Sequence, residues 1–443
     1  MHGKKLRLGC KRRWVWTSTA SLIFLVAGCG TQKIAASASH STPAPQIIDI
    51  TYWAGHDSGA LHQAVVAEVT QFNHTHPYIH VTFKAIGASK HGLAAFESGQ
   101  APNVGMVSGY IVPQLAQSGA ILKLGPYVNG PNGLSSVEIQ RRYYPIVWKD
   151  MFEPNGTQYE MPLEKKSLLV IYYNESLFKE AGITHPPTTW AQVGADAARI
   201  THLGPDYHGI AWTPSLSQFF DMTIADGGRV FPTKTNRRSF VLNNAGAFNA
   251  LTTLRSWVAN GSMILTSGYQ YQVDFGTGKV GMVIDASAGY TYDKRSVGHK
   301  FLMGAIAAPQ GSSGHSSQYI NGASLVLFNT GSNKQKDAAW TFMKWLSSPA
   351  TNVYWNEQTN YLPLGPQAYT MMKSFYRAHP AQAASFIPPS QWWFKPRTAN
   401  YEAAKTAMES PFYKALSGTL SITAALNQMD EVGTRYLSGQ VRG

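Results

Sequence analysis

Cysteine is almost missing from this chain of 443 residues: only Cys10 and Cys29 occur. Beyond residue 29 the chain therefore builds no internal disulfide, no cysteine metal site and no cysteine nucleophile. Acidic residues are also scarce, 24 Asp+Glu against 37 Lys+Arg, and charged residues make up only 14% of the total. Membrane-length apolar runs are lacking: the stretch from Trp14 to Val26 falls short of the roughly 20 residues that a spanning helix needs. No Gly-x-x-x-x-Gly-Lys-Ser/Thr loop occurs, which excludes a P-loop nucleotide site.

That short apolar stretch has a particular setting. Lys4, Lys5, Arg7, Lys11, Arg12 and Arg13 precede it, and Leu25-Val26-Ala27-Gly28-Cys29 closes it. A basic start, a short apolar centre and small residues before a cysteine form a lipoprotein signal. Residues 1–28 are expected to be removed, leaving Cys29 to carry a lipid on the outer face of the cell membrane. Residues 29–46, rich in Ala, Ser, Thr and Pro, read as a flexible tether. The signal holds six of the Lys+Arg and none of the Asp+Glu, so the formal charge falls from +13 to 37 − 6 − 24 = +7. The remaining basic residues are spread out, with Lys165-Lys166 and Arg237-Arg238 as the sharp pairs, which argues against a nucleic-acid surface.

About 400 residues exceed one ordinary core, so two lobes are expected. Aromatic content of 12% is enough to line a binding surface as well as a core. Ile47–Trp53, Ile79–Ala85 and Val104–Val107 read as strands, separated by helical patterns at Leu61–Asn73 and Leu93–Glu97. This β-α-β-α-β order predicts a largely parallel sheet with ligands at the carboxyl ends of its strands. Further strands are expected at Leu168–Tyr173, Val280–Ile284 and Ser324–Phe328. Thr188-Thr189-Trp190 opens a helix, and Lys336–Leu346, Ala350–Gln358, Tyr401–Leu416 and Ile422–Leu437 read as helices.

Several motifs carry little chemistry. Gly276-Thr277-Gly278-Lys279-Val280-Gly281 matches a dinucleotide pattern but precedes a strand instead of following one, so a turn is expected and no cofactor. Asp285-Ala286-Ser287-Ala288-Gly289 lacks the first glycine of a nucleophile elbow. His74, His76 and His80 lie close together with no carboxylate at ligand spacing, and solvated surface is favoured over a metal site. A secreted hydrolase of glycosides or esters stays open as a rival, with Glu160, Glu164 and Asp285 as candidate acids and Ser287 as a candidate nucleophile.

Gly156-Thr157-Gln158-Tyr159-Glu160-Met161-Pro162, Leu169–Asn174, Pro187–Trp190, Phe275–Met282, Asn321–Leu325, Asn360-Tyr361-Leu362-Pro363 and Trp392–Arg397, taken in order, resemble the extracellular solute-binding proteins of bacterial ABC importers. The group is the carbohydrate type, and within it the chain looks most like the glycerol-3-phosphate-binding branch. The resemblance implies a two-lobed α/β fold, the type II periplasmic-binding-protein-like fold, with its cleft between lobes. It implies a small polyhydroxylated solute and ABC permease subunits as partners, no cofactor, no catalysis and a monomer. A surface sensor or adhesin on the same fold is the further alternative.

The lobes are placed at 47–162 plus 297–329 and at 166–293 plus 333–443. Crossings are expected near Met161–Lys166, Asp293–Phe301 and Phe328–Asn333. The ligand groups of that branch fall near Trp53, Ser108, Trp212, Ser287, Gly322, Tyr361 and Arg397, and Lys165 joins them. Arg397 offers a planar fork matched to oxyanions, and its alternative is an ion pair with Glu402. Trp392-Trp393 is either a stacking platform or packing. Ser89-Lys90-His91 and Glu164-Lys165-Lys166 depart from the relatives and alter the charge at the cleft.

Overall fold

Alternation of β-branched and polar residues in Ile79-His80-Val81-Thr82-Phe83-Lys84 pairs this segment with Ile48–Trp53, and the rest of the fold grows from that parallel pair. The structure, a computed structural model, describes residues 46–233, 237–398 and 400–440. The signal, the tether and Cys29 lie outside the described residues. In chain order the strands are β1 (Ile48–Trp53), β2 (Ile79–Lys84) and β3 (Val104–Ser108), then the two-residue β4 (Met161–Pro162) and β5 (Lys166–Ser167). There follow β6 (Val170–Asn174), β7 (His208–Trp212), β8 (Met263–Leu265), β9 (Val280–Asp285) and β10 (Met303–Ile306). The last are β11 (Gln318–Asn321), β12 (Ala323–Leu327) and β13 (Trp392–Trp393).

These strands form two five-stranded sheets, ordered β2-β1-β3-β12-β4 and β10-β6-β9-β7-β8. A third, small sheet, β13-β11-β5, is built from segments that link the other two along the chain. The expected parallel arrangement holds for β2-β1-β3, but β12 runs antiparallel to both β3 and β4, so the sheet is mixed. The second sheet is mixed as well, because β6 runs antiparallel to β9 and β10. The first departs from the simple alternation because β12 joins it from the far side of a crossing.

On the first sheet, the helix Gly59–Thr75 buries Ala64, Val65, Val69 and Phe72. Phe72 meets Phe342 edge-on at 4.9 Å, and Tyr52 of β1 meets Phe342 at 5.3 Å. The helix Asn333–Leu346 therefore belongs with the first sheet, not with the second lobe where its sequence position suggested. Conversely, Met303–Ile306, expected in the first lobe, pairs with β6 in the second sheet. Asp293–Phe301, expected to cross between lobes, begins inside the helix Tyr290–Val297, with Asp293 buried near Asp285. The observed links lie at Met161–Val170, at Ile306–Ala323 and beyond Thr359. Phe412 of the helix Asn400–Leu416 packs at 5.2 Å on Phe219, whose helix Leu216–Ala225 follows β7 in the second sheet.

Helix Trp190–Thr201 starts as expected, with Thr189 accepting from the Gln192 backbone and Gln192 reaching back to cap it. It lies tight on β7: a Cβ on Gly209 would fall 2.3 Å from the Ala197 carbonyl oxygen and 2.5 Å from the Ala197 Cα. Backbone atoms cannot rotate aside. Gly209→Ala is expected to cost about 1–3 kcal/mol, read as a lower urea midpoint, and an unchanged midpoint would show that helix and strand have room between them.

Candidate functional site

The links between the two sheets converge on a few short contacts. A Cβ on Gly322, between β11 and β12, would fall 2.0 Å from the Glu164 carbonyl oxygen, so only glycine lets these two backbones approach. The Leu362 backbone N–H donates to the Lys165 carbonyl at 2.7 Å. Asn360, left-handed at φ 55°, ends the helix Pro349–Thr359, and its Nδ2 donates to the Ser287 carbonyl at 2.8 Å and to Ser385 Oγ at 3.1 Å. One residue thus caps a helix on the first sheet and ties it to the turn after β9 in the second.

Charge gathers beside these contacts. Arg397 donates from Nη1 to the Asp150 carbonyl at 2.5 Å, and from Nη2 to Glu153 at 2.7 Å and to Glu160. Burial works to lower the Arg397 pKa, but Glu160, Asp150 and Glu153 outweigh it and hold the guanidinium above its ordinary value. Lys165, 3% exposed, lies 3.8 Å from Asp150 Oδ2, and burial pulls its ammonium below the usual range. Burial likewise pushes the Asp150 and Glu160 carboxyls up. The cavity lined by Gly109, Tyr110, Asp150, Lys165, Gly322 and Arg397 holds about 20 Å³, room for roughly one water.

A larger cavity, about 300 Å³, opens over the second sheet, between Leu168 and the helix Asn400–Leu416. Thr213 and Ser215 follow β7 there, Asp285 ends β9, and Tyr269, Tyr271 and Phe412 supply rings. It lies at the carboxyl ends of two parallel strands, where α/β folds place ligands. Asp285 accepts from the Ala286 backbone at 2.6 Å and from Gln272 Nε2 at 3.1 Å. A Cβ on Gly289 would fall 1.9 Å from Asp285 Oδ2, so glycine makes the seat for this carboxylate. Burial raises the Asp285 pKa, and burial together with the Asp285 charge raises that of Asp293.

The structure brings three expected ligand residues, Lys165, Gly322 and Arg397, to one cavity wall. Arg397 turns two of its nitrogens to protein acceptors, Nη1 to the Asp150 carbonyl and Nη2 to Glu153 and Glu160, while its buried Nε has no hydrogen-bond partner. Its alternative partner, Glu402, pairs instead with Lys395 at 2.6 Å and Lys405 at 3.1 Å. Trp53 is 8% exposed and packs in the first lobe's second apolar cluster. Ser108 ends β3, and its backbone N–H donates to Ser89 at 2.9 Å.

Trp212 is buried, donating Nε1 to Gln218 with its ring edge-on to Phe412, so it supports the larger cavity without lining it. Ser287 is fully buried, its hydroxyl accepting from the Ser167 backbone. Tyr361 packs at 5.5 Å on Trp355, with Lys166 over its ring at 5.6 Å.

Other expectations also find their places. Glu164 bonds His56 at 3.0 Å and Glu160 bonds Arg397, whereas Asp285 belongs to the second sheet. His76 stacks on Phe72 at 4.0 Å, and no metal-competent group of three ligands occurs among the described residues. Residues 276–278 form a turn, with Gly278 at φ 84°, and Val280-Gly281 opens β9. Trp392 packs against Tyr144 and Phe386, and Trp393 stacks at 4.5 Å on Tyr319, so the pair is packing. Tyr269, Tyr271, Glu409 and Phe412 were missed. The spaced aromatic pair Tyr269-Gln270-Tyr271 was the one local signal for them.

The sequence profile described as "Bacterial extracellular solute-binding protein" matches residues 55–353, and the chain belongs to that family. A binding protein of Brucella abortus is 25% identical over 245 residues, 54% of this chain and 58% of that protein. The chain thus spans a little over half the length of the curated relatives of this kind. The sn-glycerol-3-phosphate-binding periplasmic protein UgpB of Brucella abortus is 25% identical over 368 residues, 78% of this chain and 82% of that protein. Among solved structures, the cyclic alpha-maltosyl-1,6-maltose binding protein from Arthrobacter globiformis aligns with a TM-score of 0.74 at 19% identity, covering 89% of this chain and 100% of that one. UgpB from Mycobacterium tuberculosis in complex with glycerophosphocholine aligns at 0.74 and 18%, covering 89% and 99%. The two-lobed α/β fold is thereby established. No helix among the described residues is long and apolar enough to cross a membrane.

Behind the crossing strands, Asp221 is fully buried and accepts from Trp393 Nε1 at 2.7 Å and Ser317 Oγ at 3.1 Å. Burial pushes its pKa up to about 7. An unfolded chain releases this proton near pH 4 whereas the folded protein keeps it to about 7, so the group's contribution to stability is greatest in acid and is lost as pH rises between those values. Asp221→Asn keeps an acceptor for Trp393 and Ser317 without the titration. The stability of the variant relative to the parent should rise by roughly 4 kcal/mol between pH 4 and 7.5, read by urea unfolding at each pH, and parallel curves for the two proteins would refute the assignment.

Proposed function

We propose that the chain is a lipid-anchored receptor that captures a polyhydroxylated solute, a sugar or sn-glycerol 3-phosphate, and delivers it unchanged to an ABC permease. The observation that carries this reading is the 300 Å³ cavity at the strand ends of the second sheet, beside segments that cross to the first. Lobes joined only by crossing segments can hinge, and a solute held by both favours the closed state by its differential affinity. Closing removes water, so each solute hydroxyl exchanges solvent hydrogen bonds for protein ones while rings cover its apolar faces. The permease then reads the closed state, and ATP is consumed by a separate subunit. We assign the first lobe to β1–β4, β12 and the helices through Thr359, the second to β6–β10 and the helices from Asn400, and the working form to a monomer.

The state of the candidate groups supports this reading over a secreted hydrolase. Glu160 and Glu164 are tied to Arg397 and His56, and the Ser287 hydroxyl is buried. Incubation with a mixed saccharide and polyol-phosphate pool followed by native mass spectrometry should show protein carrying a solute of unaltered mass with the pool unchanged. A new product mass would establish the hydrolase instead. The Leu25–Cys29 run supports anchoring, so Cys29→Ser should move the protein from the membrane fraction to the soluble fraction on cell fractionation. Retention in the membrane would overturn lipidation at that residue.

A further inference from the structure

The helix Leu216–Ala225 reaches from the larger cavity to the segments that cross between the sheets, and two buried polar side chains make its contacts. Gln218, in the first turn, lines the larger cavity. Its Oε1 accepts from Trp212 Nε1, at the end of β7, at 2.5 Å, and its Nε2 donates to the Leu168 carbonyl at 2.9 Å. Leu168 lies between β5 and β6, and its backbone N–H donates to the Tyr319 carbonyl of β11 at 3.0 Å. One turn on and on the same face, Asp221 accepts through Oδ1 from Trp393 Nε1 of β13 at 2.7 Å. The same oxygen accepts from Ser317 Oγ, just ahead of β11, at 3.1 Å. Each strand of the small sheet β13-β11-β5, or the residue beside it, is thus held by one helix.

The two contacts differ in what they can respond to. A side-chain amide has two N–H donors and two lone pairs on its oxygen. The bonds to Trp212 and Leu168 use one of each, so a solute hydroxyl in the cavity meets a donor and an acceptor on Gln218. Asp221 responds to a proton. Its Oδ2 is buried without a hydrogen-bond partner, and burial raises its pKa to about 7. Among the described residues, the titratable side chains facing it are Tyr319 of β11 and Tyr401 of the helix Asn400–Leu416. Burial holds both hydroxyls well above their ordinary value, so both stay neutral while Asp221 titrates; Glu402, Arg237 and Asp150 act on those tyrosines in turn. The neutral carboxyl suits the arrangement of helix and strands, whereas its anion is a buried charge that gains from hydration only if they move apart.

We infer that Gln218 and Asp221 are positioning residues that make this helix a lever, so that the crossing sheet moves with what Gln218 meets in the cavity. The inference rests on the binding-protein reading above and concerns how that site is coupled to the crossings. Coupling between two sites is reciprocal. A change of charge imposed at Asp221 is therefore felt at the cavity wall, with no solute present.

The test places one fluorotryptophan at a time, at position 393 or at position 212, in the full chain without solute, and follows its fluorine NMR signal from about pH 5 to about pH 9. The Trp393 signal should titrate with a midpoint near 7, and the Trp212 signal should move with the same midpoint. Asp221→Asn, which keeps an acceptor for Trp393 and Ser317, should flatten both curves. Gln218→Met, of similar length but without the amide, should flatten the Trp212 curve and leave that of Trp393. A Gln218 that only fills space would leave the Trp212 signal level in the parent. Three results would overturn the inference: a level Trp393 signal, a Trp212 signal that is level or has a different midpoint, or a Trp212 response that survives Asp221→Asn and so arises from Asp285 on the same cavity wall. Should a variant not fold, the two parent curves still decide. None of these results bears on the receptor reading, which stands or falls with the solute carried in native mass spectrometry.

Discussion

The close approach of Gly322 to the Glu164 carbonyl is the contact on which the molecule depends. Two sheets built from interleaved segments need the chain to pass between them more than once, and each passage leaves backbone groups that must be satisfied. Here the passages satisfy one another. β5 pairs with β11, β11 pairs with β13, and Leu362 bonds the Lys165 carbonyl. A side chain at Gly322 would push the β11–β12 junction off the crossing strand and separate groups that line one cavity, Lys165, Gly322 and Arg397. Asn360 secures the remaining passage through its bond to the Ser287 carbonyl.

Electrostatics follows from the same crowding. Bringing crossing segments together buries Glu160 and Lys165 and covers most of Asp150 and Arg397 in one region, and such groups persist only if they neutralise one another. The network therefore answers first to the fold and only then to the ligand. Its partners come from different parts of the chain, Asp150 to Glu160 ahead of β4 and Arg397 after β13, so it also fixes how those parts meet.

What sequence reasoning could see was whatever is local. The strands around Ile50, Val81 and Val104, the Thr189 cap and the long C-terminal helices follow from periodicity and capping within a dozen residues. The assignment of segments to lobes was not local, and there the reading failed. Met303–Ile306 and Asn333–Leu346 look like any strand and helix, and only pairing with β6 and packing against Tyr52 decide where they go. The family resemblance brought Lys165, Gly322 and Arg397 to one wall, because short motifs mark the crossings. It could not show that Glu153 and Glu160 bond Arg397 Nη2, since that depends on residues about 240 positions away. Tyr269 and Glu409 were illegible because neither stands in a motif, and their cavity exists only once the helix Asn400–Leu416 packs over the second sheet.

The place of β12 between β3 and β4 has a consequence for how the polypeptide is made. Ala323 follows Pro162 by 323 − 162 = 161 positions, yet it fills the gap between them. A chain emerging amino terminus first presents β1, β2 and β3 with one border of β3 bare for as long as those positions take to appear. Bare strand borders invite association with other chains. That border stays open until Leu325 enters the sheet opposite Met106.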